Sequence, residues 1–555
     1  MPATVTIYCK NNNSYVEVPM GATLLEIYEA AGSPLSSRPM NAYVNNKVEG
    51  LTYRCWNPKD VEFMDYSRMS GSRAYVRSLC HIFAKAINDI WPTATLYLEH
   101  PVSKGYYCVV RNGKSVDHPM IDQIKNRMQE IIAADIPFLR KDVRTAEAAT
   151  LFRERGMYDK ADLVETAGLL YTTYYELDGY IDFFYGCLTP STGYIHLFDL
   201  EPYYDGILLR VPQREHVNEL APVTCQDKMF QVYKEHLTLQ RTVGLDTVGD
   251  LNKAIEKGQS SEIIMVSEAM QEKQIARIAQ DIVEAYKEGV RIVLIAGPSS
   301  SGKTTFSKRL EIQLITNLLH PVSISLDDYF LNRVDTPKDE DGEYDFESLY
   351  ALDLSYLNND LKRILAGEKI DLPSFSFDTG TRVYKGKKLK LKENSVLVVE
   401  GIHGLNPELT AFIEEKYKYR VYISALTTIS LDNHNWIPTT DNRLLRRIVR
   451  DYRFRGYSAK DTISRWNSVR RGEDRWIFPY QENADAMFNS AMLYELAALR
   501  KFAEPILTEV KESDIENAEA YRLLRFLRYF NYISETELPG TSLLREFLGG
   551  GTFKY

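Results

Sequence analysis

The chain has 555 residues, of which 44% are hydrophobic and 26% are charged, and its formal net charge at pH 7 is −9. This length exceeds what one hydrophobic core serves, and it predicts about three or four domains of ordinary globular composition. The negative net charge argues against a general nucleic-acid-binding protein, because such proteins neutralise phosphates with a large basic surface, although it leaves local basic patches open.

Targeting and membrane segments are not evident in the sequence. Residues 1–8 lack the charged and apolar regions of a signal peptide, and no apolar run is long enough to span a bilayer. The six cysteines are scattered, without the C-x-x-C pair that would indicate a zinc or redox site. These features predict a reduced, cytoplasmic protein that contacts no membrane.

The first 66 residues predict a small ubiquitin-like unit. Residues 4–9 and 15–18 have the alternating pattern of two strands, joined by a turn at Asn11–Asn13. Thr23 and Glu26 then form a capping box at the start of an apolar helix. This hairpin and helix resemble a TGS domain, the small module at the front of threonyl-tRNA synthetases and of some GTPases.

Residues 67–225 predict a second, α+β domain. An apolar stripe of helical spacing runs from Tyr75 to Ile90, and a distinctive segment follows at Tyr180–Gly193. Together they resemble the second amino-terminal domain of threonyl-tRNA synthetase, which carries the editing site.

The editing site of that family uses an H-x-x-x-H pair and a C-x-x-x-H pair. Aligned on these segments, the four positions fall on Arg77, His81, Phe184 and Leu188, so a single histidine is retained. One histidine cannot complete a metal site or act in hydrolysis without partners. We therefore expect that editing is lost and that His81 is a structural or pocket-lining residue.

Two further segments carry no motif for chemistry. Residues 226–275 are rich in charged and helix-forming residues and predict a helical connector to a larger domain at 276–510. Residues 511–555 predict a helical tail with a glycine-rich end.

The strongest motif is the sequence G-P-S-S-S-G-K-T-T, which begins at residue 297. It follows the β-branched run Val290–Ala296 and leads into a helical pattern, which is the strand–loop–helix context of a P-loop. A glycine-serine turn that binds nothing is the alternative, but the spacing and both flanks favour a nucleotide, ATP or GTP. The predicted nucleotide-binding residues are Gly297, Ser299, Ser300, Ser301, Gly302, Lys303, Thr304 and Thr305. Lys303 would reach the β- and γ-phosphates, and the hydroxyl of Thr304 would bind Mg²⁺.

Two acidic residues follow other predicted strands of the same sheet. Asp327 comes after Pro321–Leu326, and Glu400 ends the apolar run that begins at Ser395. The first segment resembles the strand-end motif of uridine kinases, phosphoribulokinases and pantothenate kinases. This resemblance implies that Asp327 accepts the proton of a substrate hydroxyl and that Glu400 is a Walker-B partner of Mg²⁺. Oxygen ligands from Thr304, Asp327 and Glu400 suit that ion.

Two segments resemble the nucleoside-binding parts of uridine kinases. Asp345 matches the aspartate that binds the ribose hydroxyls, and Leu372–Arg382 resembles the base-binding loop. Phe375 replaces the family tyrosine and Gly380 replaces the histidine that binds the pyrimidine, while Arg382 stays in register. Because a base pocket loses discrimination with its polar groups, specificity for uridine is weakened.

The last motif is an arginine-rich helical run from Arg443 to Gly456. Such a run is often a solvated face, but here it resembles the lid of uridine kinases. Arg447, Arg450 and Arg455 match the arginines that clamp phosphates in that family, and arginine suits the charge of phosphoryl transfer.

Together these patterns predict an α/β P-loop kinase with a parallel sheet, behind a TGS-like and a threonyl-tRNA synthetase-like domain. The resemblance implies that the protein uses ATP and Mg²⁺ to phosphorylate the 5′-hydroxyl of a nucleoside, with uridine or cytidine favoured. One alternative is a kinase of another small hydroxylated metabolite. Another is a nucleotide-gated regulator that contacts RNA or ribosomes through the front domains. A homo-oligomer is also open.

Overall fold

The computed structural model describes residues 3–111, 116–340, 342–376 and 379–554. Its amino-terminal unit has a five-stranded sheet, in which one neighbouring pair of strands is parallel and the others are antiparallel. The predicted hairpin, helix and capping box are confirmed, since the Thr23 hydroxyl accepts a hydrogen bond from the Glu26 amide at 3.3 Å. The elements are β1 (Thr4–Cys9), β2 (Ser14–Pro19), β3 (Ala22–Thr23), α1 (Leu24–Ala31), β4 (Asn41–Val44), β5 (Lys47–Glu49), β6 (Arg54–Cys55) and β7 (Lys59–Met64).

The second unit packs a long buried helix against two antiparallel sheets. The helix begins at Met69, earlier than the apolar stripe predicts, and most of its residues are buried. The sheets have the strand orders β13-β14-β9-β8 and β10-β11-β12. The elements are α2 (Met69–Ile90), β8 (Thr95–Val102), β9 (Gly105–Arg111), α3 (His118–Ala133), β10 (Leu139–Arg144), α4 (Thr145–Glu154), α5 (Tyr158–Thr166), β11 (Tyr171–Leu177), β12 (Tyr180–Asp182), β13 (Asp199–Tyr203) and β14 (Gly206–Arg210).

Three helices follow: α6 (Asp227–Thr242), α7 (Val248–Glu256) and α8 (Ser260–Glu288). The last of them is continuous across residue 275, where the sequence suggests the end of a connector. It packs on α9 (Lys303–Thr316), the first helix of the kinase-like unit. Arg309 of α9 donates a hydrogen bond to Glu272 of α8 at 2.7 Å. The predicted helical character of this region is therefore observed.

The larger unit is built on a five-stranded parallel sheet with the strand order β16-β19-β15-β20-β23. Helices pack on both of its faces, and the α/β fold class with a parallel sheet is confirmed. Its strands are β15 (Ile292–Ala296), β16 (His320–Ser325), β17 (Ile370–Ser376), β18 (Thr381–Leu389), β19 (Ser395–Glu400), β20 (Lys418–Ser424), β21 (Ser430–Asp432), β22 (Asn435–Trp436) and β23 (Ala486–Asn489). Its helices are α9 (Lys303–Thr316), α10 (Leu354–Leu365), α11 (Thr439–Phe454), α12 (Ala459–Trp476), α13 (Glu495–Thr508), α14 (Asn517–Leu527) and α15 (Arg545–Leu548). None of the helices in the described ranges has both the length and the apolar character that a bilayer crossing requires.

A buried ionic cluster joins the front half to the kinase-like half. Lys160 lies 3.0 Å from Asp182 of the front half and 3.0 Å from Asp432 of the kinase-like half. His434 contacts Asp182 at 2.7 Å, and all four side chains are almost fully buried. Because buried carboxylates need a compensating charge, Lys160 holds the two halves together.

We expect Lys160→Met to lower the thermal unfolding midpoint, because it leaves Asp182 and Asp432 buried without their cation. Removing one partner of a buried ion pair typically costs about 3–5 kcal/mol. The control is Lys501→Met, which breaks an exposed pair with Glu535 worth roughly 0–1 kcal/mol. Calorimetry that found equal midpoints for the two variants would contradict the role of Lys160.

Candidate active site

The P-loop connects β15 to α9 in the conformation that its glycines permit. A Cβ on Gly297 would lie 2.2 Å from the carbonyl oxygen of Ile423, so this position requires glycine. Ser300 and Gly302 have the left-handed φ angles of 59° and 86°, which curl the loop before α9 begins at Lys303. The loop therefore curls tightly between the end of β15 and the first turn of α9.

The loop fits phosphate groups. The hydroxyls of Ser300 and Ser301 are buried and, among the described residues, have no hydrogen-bond partner. The first amides of α9 form the positive end of a helix, which attracts anions. Lys303 is nearly buried, its Nζ donates to the Pro298 carbonyl at 3.0 Å, and burial lowers its pKa while Glu400 opposes the change. Donors without partners and a desolvated cation are the features of a phosphate cradle.

The predicted magnesium residues lie at the same edge of the sheet. The Thr304 hydroxyl donates to Glu400 at 3.3 Å. Burial raises the pKa of Glu400 to about 7, although Lys303 lowers it. The described residues contain no cluster of three or more His, Cys, Asp or Glu that could hold a metal. Thr304 and Glu400, with Asp327 nearby, therefore fit an ion such as Mg²⁺ that takes its other ligands from phosphates and water.

Asp327 lies two residues beyond the end of β16, in a short 3-10 turn. Crowding by the surrounding protein raises its pKa, whereas Lys303 and Arg455 lower it. The Asp327 carboxylate thus interacts electrostatically with Lys303 of the P-loop and Arg455 of the lid, and it raises the pKa of Glu400.

Asp451 gathers the three predicted lid arginines. Its carboxylate lies 3.3 Å from Arg447, 2.8 Å from Arg450 and 3.7 Å from Arg455. Arg447 also donates to the Ser299 hydroxyl at 2.9 Å. One carboxylate against three guanidinium groups leaves an excess of positive charge beside Asp327, which suits a transferring phosphoryl group.

Two other arginines of α11 also contact the P-loop, although the sequence does not predict this. Arg443 donates to the Ser299 carbonyl at 2.9 Å and Arg446 donates to the Ser300 carbonyl at 3.3 Å. Both are buried and bonded to carboxylates, Arg443 to Glu473 and Arg446 to Glu495. Both arginines belong to the arginine-rich run, but their acidic partners lie at least 30 residues away in the chain. The sequence therefore does not indicate that they bind the P-loop.

The three predicted substrate residues are held by protein contacts. The Asp345 carboxylate accepts from the Glu347 amide at 3.1 Å. The Phe375 ring packs on Phe330 with centroids 5.7 Å apart. Arg382 donates to Asp353 at 3.1 Å and lies over the Tyr356 ring. Arg382 thus forms an ion pair with Asp353. The sequence resemblance to the base-binding loop does not predict this contact.

A cavity of about 300 Å³ opens beside Thr304 and Glu400, between α9, β16 and the hairpin of β17 and β18. Its lining combines hydroxyls, carboxylates and ammonium groups with the apolar side chains of Ile324, Leu372 and Pro373. The lining residues include Ser307, Lys308, Glu311, Ser323, Ser325, Asp328, Tyr329, Ser374, Lys385 and Lys387. The sequence analysis did not identify the lysines, because nothing in the hairpin sequence shows that it faces α9.

In the front half, aromatic rings fill the position that matches the editing site. His81 is fully buried, and the rings of Phe138, Tyr180 and Phe184 lie within 5.8 Å of its ring. Burial lowers the pKa of His81 to about 4. Arg77 stacks over the ring of Tyr185 at 4.9 Å. These contacts support the expectation that His81 is structural.

Residues 292–496 match the model of the phosphoribulokinase / uridine kinase family. The amino-terminal third is 28% identical over 184 residues to the threonine–tRNA ligase of Syntrophomonas wolfei subsp. wolfei. It is 24% identical over 190 residues to that of Carboxydothermus hydrogenoformans. These matches cover 33% and 34% of this chain but only 29% and 30% of the two ligases, so the chain spans less than a third of their length.

Among solved structures, the chain is similar to the "Possible Uridine Kinase" from Bacillus stearothermophilus. The two are 18% identical, with a TM-score of 0.27, and the match covers 39% of this chain and 98% of that one. With the family match and the geometry above, the two predicted resemblances are confirmed. Residues 292–496 are similar to a family of P-loop kinases, and the front third is similar to threonine–tRNA ligases.

We expect the full-length protein to leave seryl-tRNA intact, since a neutral histidine among aromatic rings has no positioned base or metal to assist hydrolysis. The measurement is deacylation of radiolabelled seryl-tRNA over time, with buffer alone as the reference. Wild type and His81→Ala should both match the background rate. Faster deacylation that His81→Ala abolishes would show that the editing site is intact.

Proposed function

We propose that the protein transfers the γ-phosphoryl group of ATP to a hydroxyl of a small acceptor, with the 5′-hydroxyl of a nucleoside as the first candidate. The observation that carries this proposal is the convergence of the phosphate-binding loop, Asp327, Glu400 and the Asp451-bound arginines at one edge of the sheet. Phosphoryl transfer needs little beyond positioning and charge stabilisation, and these groups offer both.

Each residue has a role in this proposal. Lys303 and the loop amides hold the phosphates, and Thr304 and Glu400, with Asp327, hold Mg²⁺. The bound ion supplies positive charge to the phosphate oxygens. Asp327 accepts the proton of the acceptor hydroxyl, for which its position at the end of β16 beside the P-loop is suited. Arg450 and Arg455 stabilise the charge of the transferring group and help to keep water away.

The acceptor has two candidate classes. The match of Asp345 to a ribose-binding aspartate supports a nucleoside. The cavity beside Glu400 supports another small metabolite that is rich in hydroxyls, because serine hydroxyls line it together with the ammonium groups of Lys385 and Lys387 and the carboxylates of Glu311 and Asp328. The ion pair of Arg382 with Asp353 weakens the nucleoside hypothesis, since it leaves that arginine less available to a base.

A regulator that contacts RNA through the front half is the competing hypothesis from another class. It predicts nucleotide binding without turnover of a small acceptor. RNA contact and homo-oligomer formation stay predictions. A cytoplasmic location is part of our proposal and is supported by the six cysteines, which are free thiols.

We expect Asp327→Asn to lower kcat by a factor of roughly 10²–10⁴, because the amide keeps the shape but cannot accept the proton. ATP affinity should change far less. The matched control is Asp335→Asn, which changes an exposed aspartate on the same loop and should keep normal turnover. Steady-state kinetics of a coupled ATP assay give both constants, and near-normal turnover by Asp327→Asn would reject Asp327 as the base.

The acceptor class is tested with ATP, Mg²⁺ and a panel of nucleosides and of anionic, hydroxyl-rich metabolites, with products identified by mass. If the acceptor occupies the lysine-lined cavity, Lys385→Ala combined with Lys387→Ala should raise its KM by about tenfold or more, because each lost charge contact is worth roughly 1 kcal/mol. Lys390→Ala, directly after the hairpin and outside the cavity lining, is the control. A nucleoside monophosphate product whose KM is insensitive to the double change would instead support the nucleoside hypothesis.

A further inference from the structure

The carboxyl-terminal segment, residues 539–552, packs directly on the P-loop. Leu543, Leu544 and Phe547 of this segment are completely buried. A Cβ on Gly302 would lie 2.5 Å from the Leu543 side chain, and the Arg446 guanidinium lies 5.1 Å from the Phe547 ring. The segment is thus seated against the loop and α11 by apolar contacts.

These contacts place the carboxylate of Glu546 on the first turn of α9. Its Oε2 accepts hydrogen bonds from the Thr305 amide at 3.1 Å and from the Thr305 hydroxyl at 2.8 Å. Thr305 is the third residue of α9, in the first turn of the helix. Such amides after the P-loop lysine are donors to nucleotide phosphates. A protein carboxylate therefore occupies donors that belong to the phosphate cradle.

The charge of Glu546 reaches the centre of the site. It contributes to the raised pKa of Glu400 and supports the charged form of Lys303. The site therefore already holds an anion next to the lysine that would bind the β- and γ-phosphates. Two like charges a few ångströms apart repel strongly in a poorly solvated site, so the carboxylate and a phosphate cannot share these donors.

We propose that Glu546 determines nucleotide affinity: its carboxylate occupies the Thr305 donors that a nucleotide phosphate uses, and ATP binds only in exchange for this contact. The inference rests on the proposed function in that ATP is taken as the nucleotide. The segment is then an internal competitor of ATP, fixed in place by Leu543 and Phe547, and it weakens binding without closing the loop to nucleotides.

The test is the binding of Mg·ATP to the full-length protein by isothermal titration calorimetry. Glu546→Gln keeps the size of the side chain but removes its charge, and we expect it to lower the Kd for ATP by about tenfold. Glu537→Gln is the matched control, because it lies before the same segment and accepts from Ser261 rather than from the P-loop. Its Kd should equal that of the wild type.

Glu546→Ala is the second variant and has the same expected result, so the test does not depend on the folding of one protein. Circular dichroism melting shows which variants are folded. Equal or weaker binding of ATP by a folded Glu546 variant would overturn the inference, since Glu546 would then be a structural cap of α9. Absence of ATP binding by the wild type and all variants would instead overturn the proposed function, and with it the inference.

Discussion

The parallel order of three neighbouring strands is the constraint on which the candidate site depends. β19 lies between β16 and β15, and the register pairs Glu400 with Ser325 on one side and with Ile295 on the other. Because parallel strands end at a common edge, the P-loop, Glu400 and Asp327 must meet there. The chemistry follows from this register, and a slip of one residue would turn each strand-end side chain to the opposite face.

Buried ion pairs then fix the arginine-rich helix over the loop. Arg443 and Arg446 are buried with Glu473 and Glu495 and donate to carbonyl oxygens of the P-loop, while Asp451 orients the arginines that face Asp327. The cost of burying these charges is offset because each has a bonded partner. The positive charge for phosphoryl transfer is therefore arranged by the fold itself, which is the kind of preorganisation that makes electrostatic stabilisation effective.

Features that depend on neighbouring residues could be predicted from the sequence, whereas contacts between residues far apart in the chain could not. The P-loop was predictable because strand, glycines, lysine and helix are contiguous, and Asp327 and Glu400 were predictable because each lies at the carboxyl end of an apolar strand. Glu546 is 241 residues from Thr305, and no periodicity links the two. The ion pair of Arg382 with Asp353 could not be predicted either. A sequence resemblance gives the position of a residue but not the side chain with which it pairs. The predicted domain boundary at residue 275 falls inside α8. A run of charged, helix-forming residues does not show where one helix ends and the next begins.

The buried ion cluster that joins the halves lies close in sequence to the filled position in the front domain. Asp182 ends β12, two residues before Phe184, and its carboxylate is committed to Lys160 and to His434 of the kinase-like half. The segment that matches the editing site thus supplies part of the interface with the kinase domain. A polar pocket at that position would bring water next to a buried ion cluster and weaken it, since ion pairs are weaker where the dielectric is higher. Aromatic packing around His81 keeps water away from this part of the front half, which favours the buried ion cluster beside it.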